Sequence, residues 1–474
     1  MSVQAAGRRI WWRGLSVCAA AIVFGTIFLL LHQRAGDKAC LTLALTGAAI
    51  VLWVAETIPI GQTSFLVLLI IGFTGIVPLD TALSGFASSA IFLIIAGMMM
   101  ARAVNDTSLI QRLTYYILLK IGSTTSRILA GIILISQIQA FFIPATAVRT
   151  SLLLPAIINL MKMFDYRAHP NIRRQLMLGV AFGGNISGTA ILPAAIGNVL
   201  TVEILNLYLH TSISYFRWLW LAFPIWLLLI PAVWYIIRRT YPAEIKEIPG
   251  VQEVMEKRLH ELGPLTWAEK RCLAILTVTV GLWATESLHH MVPAIPAIFA
   301  VILLSLPGIG VTSWENTTKI NLDTVFILGI TLSLGKVLNE TGAIQYVSQM
   351  LEHKWLINSF HIPIFAILLV VLFTQIYHLG VSNVSTAIVT LLPALIGIAD
   401  RAGADPVAIA FSAALTCLFG FILVVETMPN VLAQASGYIG QRDFLIPGIW
   451  ATLASILITM FVAATWWRWI GFIS

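Results

Sequence analysis

Charge is what this chain has least of. Charged residues make up 10% of its 474 positions and hydrophobic residues 59%, and the mean hydropathy is +0.92. An ordinary soluble domain carries roughly 25% charged residues, so that class is excluded. Cysteine is scarce as well. Cys18, Cys40, Cys272 and Cys417 are scattered through apolar stretches without paired spacing. They exclude a disulfide framework and read as small buried hydrophobes. There is no H-E-x-x-H pair for zinc and no carboxylate pair at helical spacing inside an apolar run, and Ser151 and Ser382 have no base nearby in sequence. These absences argue against an intramembrane protease or lipid-phosphate transferase. The sparse polarity also argues against a channel, which needs a continuous polar-lined pore. The net charge of +7 comes without a basic run interleaved with aromatics, so nucleic acid is not an expected partner.

What is present is a series of apolar runs. A membrane span needs about 20 mostly apolar residues, and the pattern predicts spans near 15–32, 39–57, 60–78, 88–104, 126–142, 174–205, 213–237, 271–288, 292–307, 322–338, 360–377, 406–425 and 446–466. The expected partner is the lipid bilayer, and the expected location is the cell membrane. The first run is long and lacks a clean cleavage site after Leu31, so it reads as a retained span. Arg8, Arg9 and Arg13 precede it, and Arg238, Arg239, Lys246, Lys257 and Arg258 crowd the one long polar stretch. Positive loops stay cytoplasmic, which predicts a cytoplasmic N-terminus and linker. Within that stretch, the mixed charge of Val251 to Leu262 predicts a short surface helix. Many of the fifteen Trp, among them Trp11, Trp12, Trp218, Trp220, Trp467 and Trp469, fall at span ends and read as interfacial belts.

The chain is written twice. Leu52-Trp53-Val54-Ala55-Glu56-Thr57 recurs as Leu282-Trp283-Ala284-Thr285-Glu286-Ser287, Asn105 to Gln111 recurs as Asn339 to Gln345, and Leu152-Leu153-Leu154-Pro155 recurs as Thr390-Leu391-Leu392-Pro393, at offsets of 230, 234 and 238 residues. The predicted organisation is an extra N-terminal span at 1–34, a first repeat at 35–237, a cytoplasmic linker at 238–265 and a second repeat at 266–474. Each repeat holds apolar segments interrupted by small polar residues. One pair is Phe142 to Ser151 and His378 to Thr386. The other is Gly183 to Ala190, continuing to Pro193 and Gly197-Asn198, and Glu426-Thr427-Met428-Pro429-Asn430. Non-helical backbone at membrane depth is tolerated only where it is buried in protein or lines a cavity. Matched breaks in two halves point to a binding site, as in a secondary transporter.

Freed carbonyls and hydroxyls suit a hard cation such as sodium, and half-helix N-termini suit an oxyanion. Arg149, a guanidinium in an apolar run, matches an oxyanion bidentately; the alternatives are snorkelling or pairing with Glu56, Glu286 or Glu426. His378 and Glu426 are candidates for handling a proton or a counter-ion. Glu56 and Glu286 are placed alike in the two halves and read as helix caps, and Arg102 and Lys336 read as interfacial anchors.

At these positions the chain resembles the divalent anion/sodium symporter family. Trp53 to Pro59 resembles its W-x-T-E-A-I-P segment, and Gly85-Phe86 through Ala101-Arg102-Ala103 its G-F…A-R-A. Gly263 to Arg271 with Thr285 to His289 resembles the start of its second half, and Ser436-Gly437-Tyr438-Ile439 with Asp443-Phe444 its closing S-G-Y-I…D-F. The resemblance implies an all-α integral membrane protein with two inverted repeats, re-entrant hairpins and broken helices, divided into a scaffold and a moving transport domain. It also implies a homodimer and elevator-type alternating access. The family's hairpin tips carry Ser-Asn-Thr; here the first reads Ala145-Thr146-Ala147 and the second Ser382-Asn383-Val384. Its G-T-P-P-N breaks correspond to Ala194 to Asn198 and Glu426 to Asn430. The implied substrate ligands are Thr146, Arg149, Thr189, Asn198, Ser382, Asn383, Ser385, Thr386, Thr427, Pro429 and Asn430, with sodium as the candidate ion at Ser382 and Asn383 and no other cofactor. The altered first tip removes oxygen ligands where sodium would sit. That predicts an exchanger of small divalent anions such as di- or tricarboxylates, with sodium or proton symport as the alternative.

Overall fold

The computed structural model describes residues 3–55, 58–350, 359–381 and 383–473, with side chains from Gly14 onward except at 345 and 348–350. Glu56 and Ser382 lie outside the described residues, as do the side chains of Arg8, Arg9, Trp11, Trp12 and Arg13. Every named element among the described residues is a helix. The longer ones in chain order are α1 (Val3–Leu31), α2 (Asp37–Ala55), α3 (Ile60–Thr74), α4 (Ser89–Asn105), α5 (Leu109–Ile121), α6 (Thr125–Ala140), α7 (Thr146–Met161), α8 (Pro170–Ser187), α9 (Ile196–Leu209) and α10 (Tyr215–Thr240). They continue as α11 (Val251–Glu261), α12 (Trp267–Ala284), α13 (Ala294–Ser305), α14 (Leu322–Glu340), α15 (Ala343–Met350), α16 (Pro363–Gly380), α17 (Val384–Arg401), α18 (Pro406–Thr416), α19 (Met428–Ala435) and α20 (Gln441–Val462). Seven helices among the described residues are long and apolar enough to cross a membrane, or eight if the bent pair Leu79–Ala87 and Ser89–Asn105 is one span.

The two halves pack reciprocally. In the first half α3 lies on α14 of the second, and α13 of the second lies on α4 of the first. Deeper in the chain, α7 and α8 both pack on α19, while α17 and α18 both pack on α9. Each half therefore completes the other's core, and the last helices α10 and α20 run together.

The G-F motif has a steric reason. A Cβ at Gly85 would stand 2.2 Å from the Gly329 carbonyl and 2.4 Å from the Ser333 nitrogen, and one at Gly329 would stand 2.2 Å from the Phe86 ring. The Gly85 N–H donates to Ser333 Oγ at 3.1 Å. Two helix segments thus cross at backbone contact, which only glycine permits.

Several expectations change. The predicted span 174–205 is not one helix: α8 and α9 are separated by Gly188 to Ala195. Gly183 and Gly184 lie inside α8 and serve close packing, with Ile133 Cα 3.1 Å from a Cβ built at Gly183. Helices α5, α7 and α17 were not among the predicted spans; α5 is amphipathic, and α7 and α17 follow the tip residues directly. Trp218 and Trp467 are buried core residues, not belt; their indoles donate to the Thr189 and Leu221 carbonyls. Cys18 is exposed, unlike the other three cysteines. Arg102 donates to Asn316, which also bonds Asp106, so it joins a polar network and is not a simple anchor.

The linker is strapped down. Thr125 N–H donates to the Lys246 carbonyl and Ile248 N–H to the Ser123 carbonyl. The Glu244 carboxylate accepts from the Asn171 and Ile172 N–H groups at the start of α8. Arg112 donates to Glu269 and to the Leu262 and Gly263 carbonyls, closing the linker beside α12, whose N-terminus is fixed by the Thr266–Glu269 capping box.

Gly85→Ala is expected to destabilise the protein by about 3 kcal/mol, since the obstacle is backbone and cannot move aside. Gly281→Ala, with open space around it, is the control. Thermal unfolding in detergent should show a lowered midpoint for the first and none for the second.

Candidate functional site

Four helix breaks build the site. Phe141 to Ala145 separates α6 from α7, and α16 ends at Gly380 while α17 begins at Val384. Gly188 to Ala195 separates α8 from α9, and Cys417 to Thr427 separates α18 from α19. Each break frees carbonyls and N–H groups that have no water to meet at membrane depth.

Two asparagines meet the carbonyls identically. Asn198 Nδ2 donates to the carbonyls of Gly188 and Ile191, at 2.7 and 3.1 Å. Asn430 Nδ2 donates to those of Gly420 and Leu423, at 2.9 and 3.0 Å. In both halves the acceptors lie ten and seven residues earlier in the chain. This shared bonding is the internal repeat expressed in atoms. Asn185 then joins the halves: its Nδ2 donates to the Gly420 carbonyl at 2.6 Å and to Asn430 Oδ1 at 3.1 Å, and its Oδ1 accepts from Thr427 at 2.9 Å. Cys417 stands at the matching place in the second half, and Asn198 Oδ1 has no partner among the described residues.

Arg149 is fully buried. Its Nη1 donates to the Ile143 carbonyl at the first tip, 2.5 Å away, and to the Ala194 carbonyl in the neighbouring break, 2.9 Å away. Nε and Nη2 both donate to Ser187 Oγ, at 3.2 and 2.9 Å. None of these partners is a carboxylate, so the alternative of an ion pair with Glu286 or Glu426 is not realised. These bonds leave Nη2 one N–H beyond that given to Ser187, and Nη1 is spent on the two carbonyls. The guanidinium ties hairpin tip to helix break through the Ile143 and Ala194 carbonyls.

Other expected ligands are likewise engaged. Thr189 Oγ1 donates to the Ile186 carbonyl. Asn198 and Asn430 are wholly buried and spend their amides on the breaks. Pro429 is buried at the start of α19, its Cβ 3.0 Å from a Cβ built at Gly184. Asn383 caps its own helix, Oδ1 accepting from the Ser385 and Thr386 N–H groups at 2.9 and 3.3 Å. Ser385 and Thr386 are buried in the first turn of α17, and Thr386 Oγ1 has no partner among the described residues. Thr146 and Asn383 remain half-exposed at the two tips.

The tips approach a common segment. A Cβ at Gly188 would sit 2.8 Å from Ala195 and 3.6 Å from Thr146, and one at Gly197 would sit 3.0 Å from Val384. Ala195 to Gly197 thus lies between the starts of α7 and α17. Helices α7, α9 and α19 begin at Ala145, Ala195 and Thr427 with no side-chain cap. Their first-turn N–H groups and the associated partial positive charge suit an anion.

His378 lies in the last turn of α16, not at the tip itself. It is buried, with neither ring nitrogen partnered among the described residues. Glu426 accepts from the Ile422 N–H through Oε2, while Oε1 has no described partner. A Cβ at Gly420 would meet both, His378 at 3.0 Å and Glu426 at 2.7 Å. Sequence reasoning missed Asn185, Ser187 and Gln139. Gln139, one turn before the first tip, is fully buried with both amide atoms unpartnered among the described residues. A buried amide in an apolar run was the available signal for it. Glu286, for its part, accepts from the Tyr215 N–H at the start of α10.

Broken helices paired across two interlocked halves, with uncapped N-termini at the breaks, are the architecture of a membrane transporter. Residues 10–473 match the sodium:sulfate symporter transmembrane-region family, and the chain belongs to that family. It is 24% identical over 464 residues to the sodium-dependent dicarboxylate transporter SdcS of Staphylococcus saprophyticus, covering 92% of this chain and 88% of that one. It is 28% identical over 451 residues to a membrane protein of Cupriavidus necator, covering 91% and 88%. The crystal structure of the Alcanivorax borkumensis YdaH transporter is similar in fold, with TM-score 0.57 and 14% identity over 81% of this chain and 88% of that one.

Arg149→Lys is expected to lower stability by about 2 kcal/mol, because one ammonium cannot reach both carbonyls and Ser187 as the planar fork does. Arg149→Ala, which leaves both carbonyls unmet, is expected to cost about 3 kcal/mol. Unfolding midpoints in detergent check the order.

Proposed function

We propose that this protein carries small divalent organic anions, of the di- or tricarboxylate class, across a cell membrane by exchange. The observation that carries this reading is Arg149, a buried guanidinium held between the Ile143 and Ala194 carbonyls without a carboxylate among its described partners. Carbonyls released by two neighbouring breaks are the ligands a hard cation takes, and here a fixed cation occupies them. Positive charge at the first tip is then permanent and does not have to arrive with each substrate.

The anion binds to the N–H groups that open α7, α9 and α19 and to Thr146, Asn383 and Thr427. Ser382, Ser385 and Thr386 complete the second tip. Arg149, Thr189, Asn198, Pro429 and Asn430 hold these groups in place. The breaks and their flanking helices α6–α9 and α16–α19 move as a transport domain against a scaffold that includes α2–α4 and α12–α14. The family resemblance supports a homodimer, and the basic N-terminus and linker support their cytoplasmic placement.

A second reading is sodium symport. It is favoured by the printed function of the Staphylococcus relative, a sodium-dependent dicarboxylate transporter, and would use a site at Ser382 and Asn383. A proton-coupled variant would use the neighbourhood of His378 and Glu426.

Counterflow in proteoliposomes separates the readings. Vesicles loaded with unlabelled succinate are given labelled succinate outside, in sodium or choline buffer. Uptake that needs internal substrate and ignores sodium is the expected result. Uptake that needs sodium, needs no internal substrate and is lost in Asn383→Ala would overturn exchange in favour of symport.

A further inference from the structure

An elongated apolar cavity of about 160 Å³ lies away from the breaks. One wall is formed by Leu43, Thr46, Ile50 and Trp53 of α2, with residues of α14 and α15; the other is formed by α9 and α17. From Leu43 to Trp53 it follows α2 for about 15 Å. Nothing in the transport site uses it.

Its unmet polar groups lie toward one end. Ala343 packs with Ala39 and Cys40, and Leu338 lies against them, so the C-terminal end of α14 sits beside the N-terminal end of α2. Thr331, farther back along α14, therefore lies toward the Trp53 end. Trp53 and Thr331 are both buried, and both line the cavity. Trp53 Nε1 and Thr331 Oγ1 have no hydrogen-bond partner among the described residues. A buried donor without an acceptor is costly. The other hydroxyls in the lining are satisfied: Thr46 donates to the Thr42 carbonyl, Tyr208 to the Gly335 carbonyl and Thr390 to the Thr386 carbonyl.

An apolar slot with two unmet donors at one end matches an apolar chain that ends in a carbonyl. A single water accepting from the two donors would leave the apolar length of the slot unfilled, and apolar space of this size stays dry. A dianion does not fit either, since two neutral donors cannot replace its hydration. Trp53 lies two residues from the end of α2. We propose that this cavity binds one acyl chain of a membrane phospholipid, with the ester carbonyl accepting from Trp53 and Thr331. The bound chain packs between α2 and α14 on one side and α9 and α17, which lead from the breaks, on the other. The assignment is independent of the transported anion and of its coupling.

Photolabelling tests it. The full chain is reconstituted with a phosphatidylcholine that carries a diazirine midway along one acyl chain, irradiated, and mapped by peptide mass spectrometry. Label is expected on α2 between Leu43 and Trp53 and on α14 between Thr331 and Leu338. Ala394→Phe, which fills the cavity from α17, should reduce that label at least fivefold. Thr331→Val, which keeps the volume and removes one donor, should reduce it about twofold. Label confined to outward residues such as Phe73 and Leu288, or cavity label unchanged in both variants, would overturn the proposal.

Discussion

A backbone that stops being helical inside a membrane must find partners for its carbonyls within the protein. In this chain that demand falls on a few buried donors, of which Asn185, Trp218 and Gln441 each meet one break carbonyl. Asn198 and Asn430 each fold back onto two carbonyls of their own break, and Arg149 reaches from one break to another. With the carbonyls held, the opposite groups, the N–H donors that open α7, α9 and α19, are left without side-chain caps. The breaks are thus polarised: their negative ends are neutralised internally and their positive ends remain available. Substrate sign follows from that division.

The two halves meet the demand with different chemistry. The second tip is closed by Asn383, which caps its own helix, and its break is tied to the first half by Asn185 and Thr427. The first tip starts at Ala145 without a cap and is held from behind by a full positive charge. A duplicated scaffold therefore carries an unduplicated electrostatic pattern. Cys417 in the place of Asn185 shows the same divergence: a small apolar residue where the other half has an amide. The interlocked packing of α7 with α19 and of α17 with α9 means that neither pattern can change without being felt across the repeat.

Much of this was legible in the sequence, and for physical reasons. The paired breaks announced themselves because glycine, proline and small polar residues are conspicuous in apolar runs, and the duplication was visible in Trp53 and Trp283 with their neighbours. The class of protein followed from those two signals. The roles of individual residues did not. Arg149, Asn198 and Asn430 carry groups that suit a ligand equally well, and only their distances show the groups spent on backbone carbonyls. Gly183 and Gly184 mark close helix contact instead of a break, because a glycine's reason lies in what stands opposite it. Trp218 and Trp467 sit near span ends but face inward, and one-dimensional position does not reveal facing. Helices α7 and α17 were hidden because each begins immediately at a tip whose polar residues read as irregular.

The charge balance at the breaks bears on how such a carrier cycles. A helix N-terminus contributes roughly half an elementary charge, so three uncapped termini and one guanidinium place about +2.5 charges locally. A dianion brings that near neutrality, a monoanion does not, and an empty site retains all of it. Moving an uncompensated charge through a low-dielectric region is costly, so under the exchange reading the loaded form is the one that crosses. A mobile cation would meet the same cost differently, since it could leave with the anion. A guanidinium fixed by the Ile143 and Ala194 carbonyls cannot leave. Under that reading its immobility links the return of the carrier to the binding of a second anion.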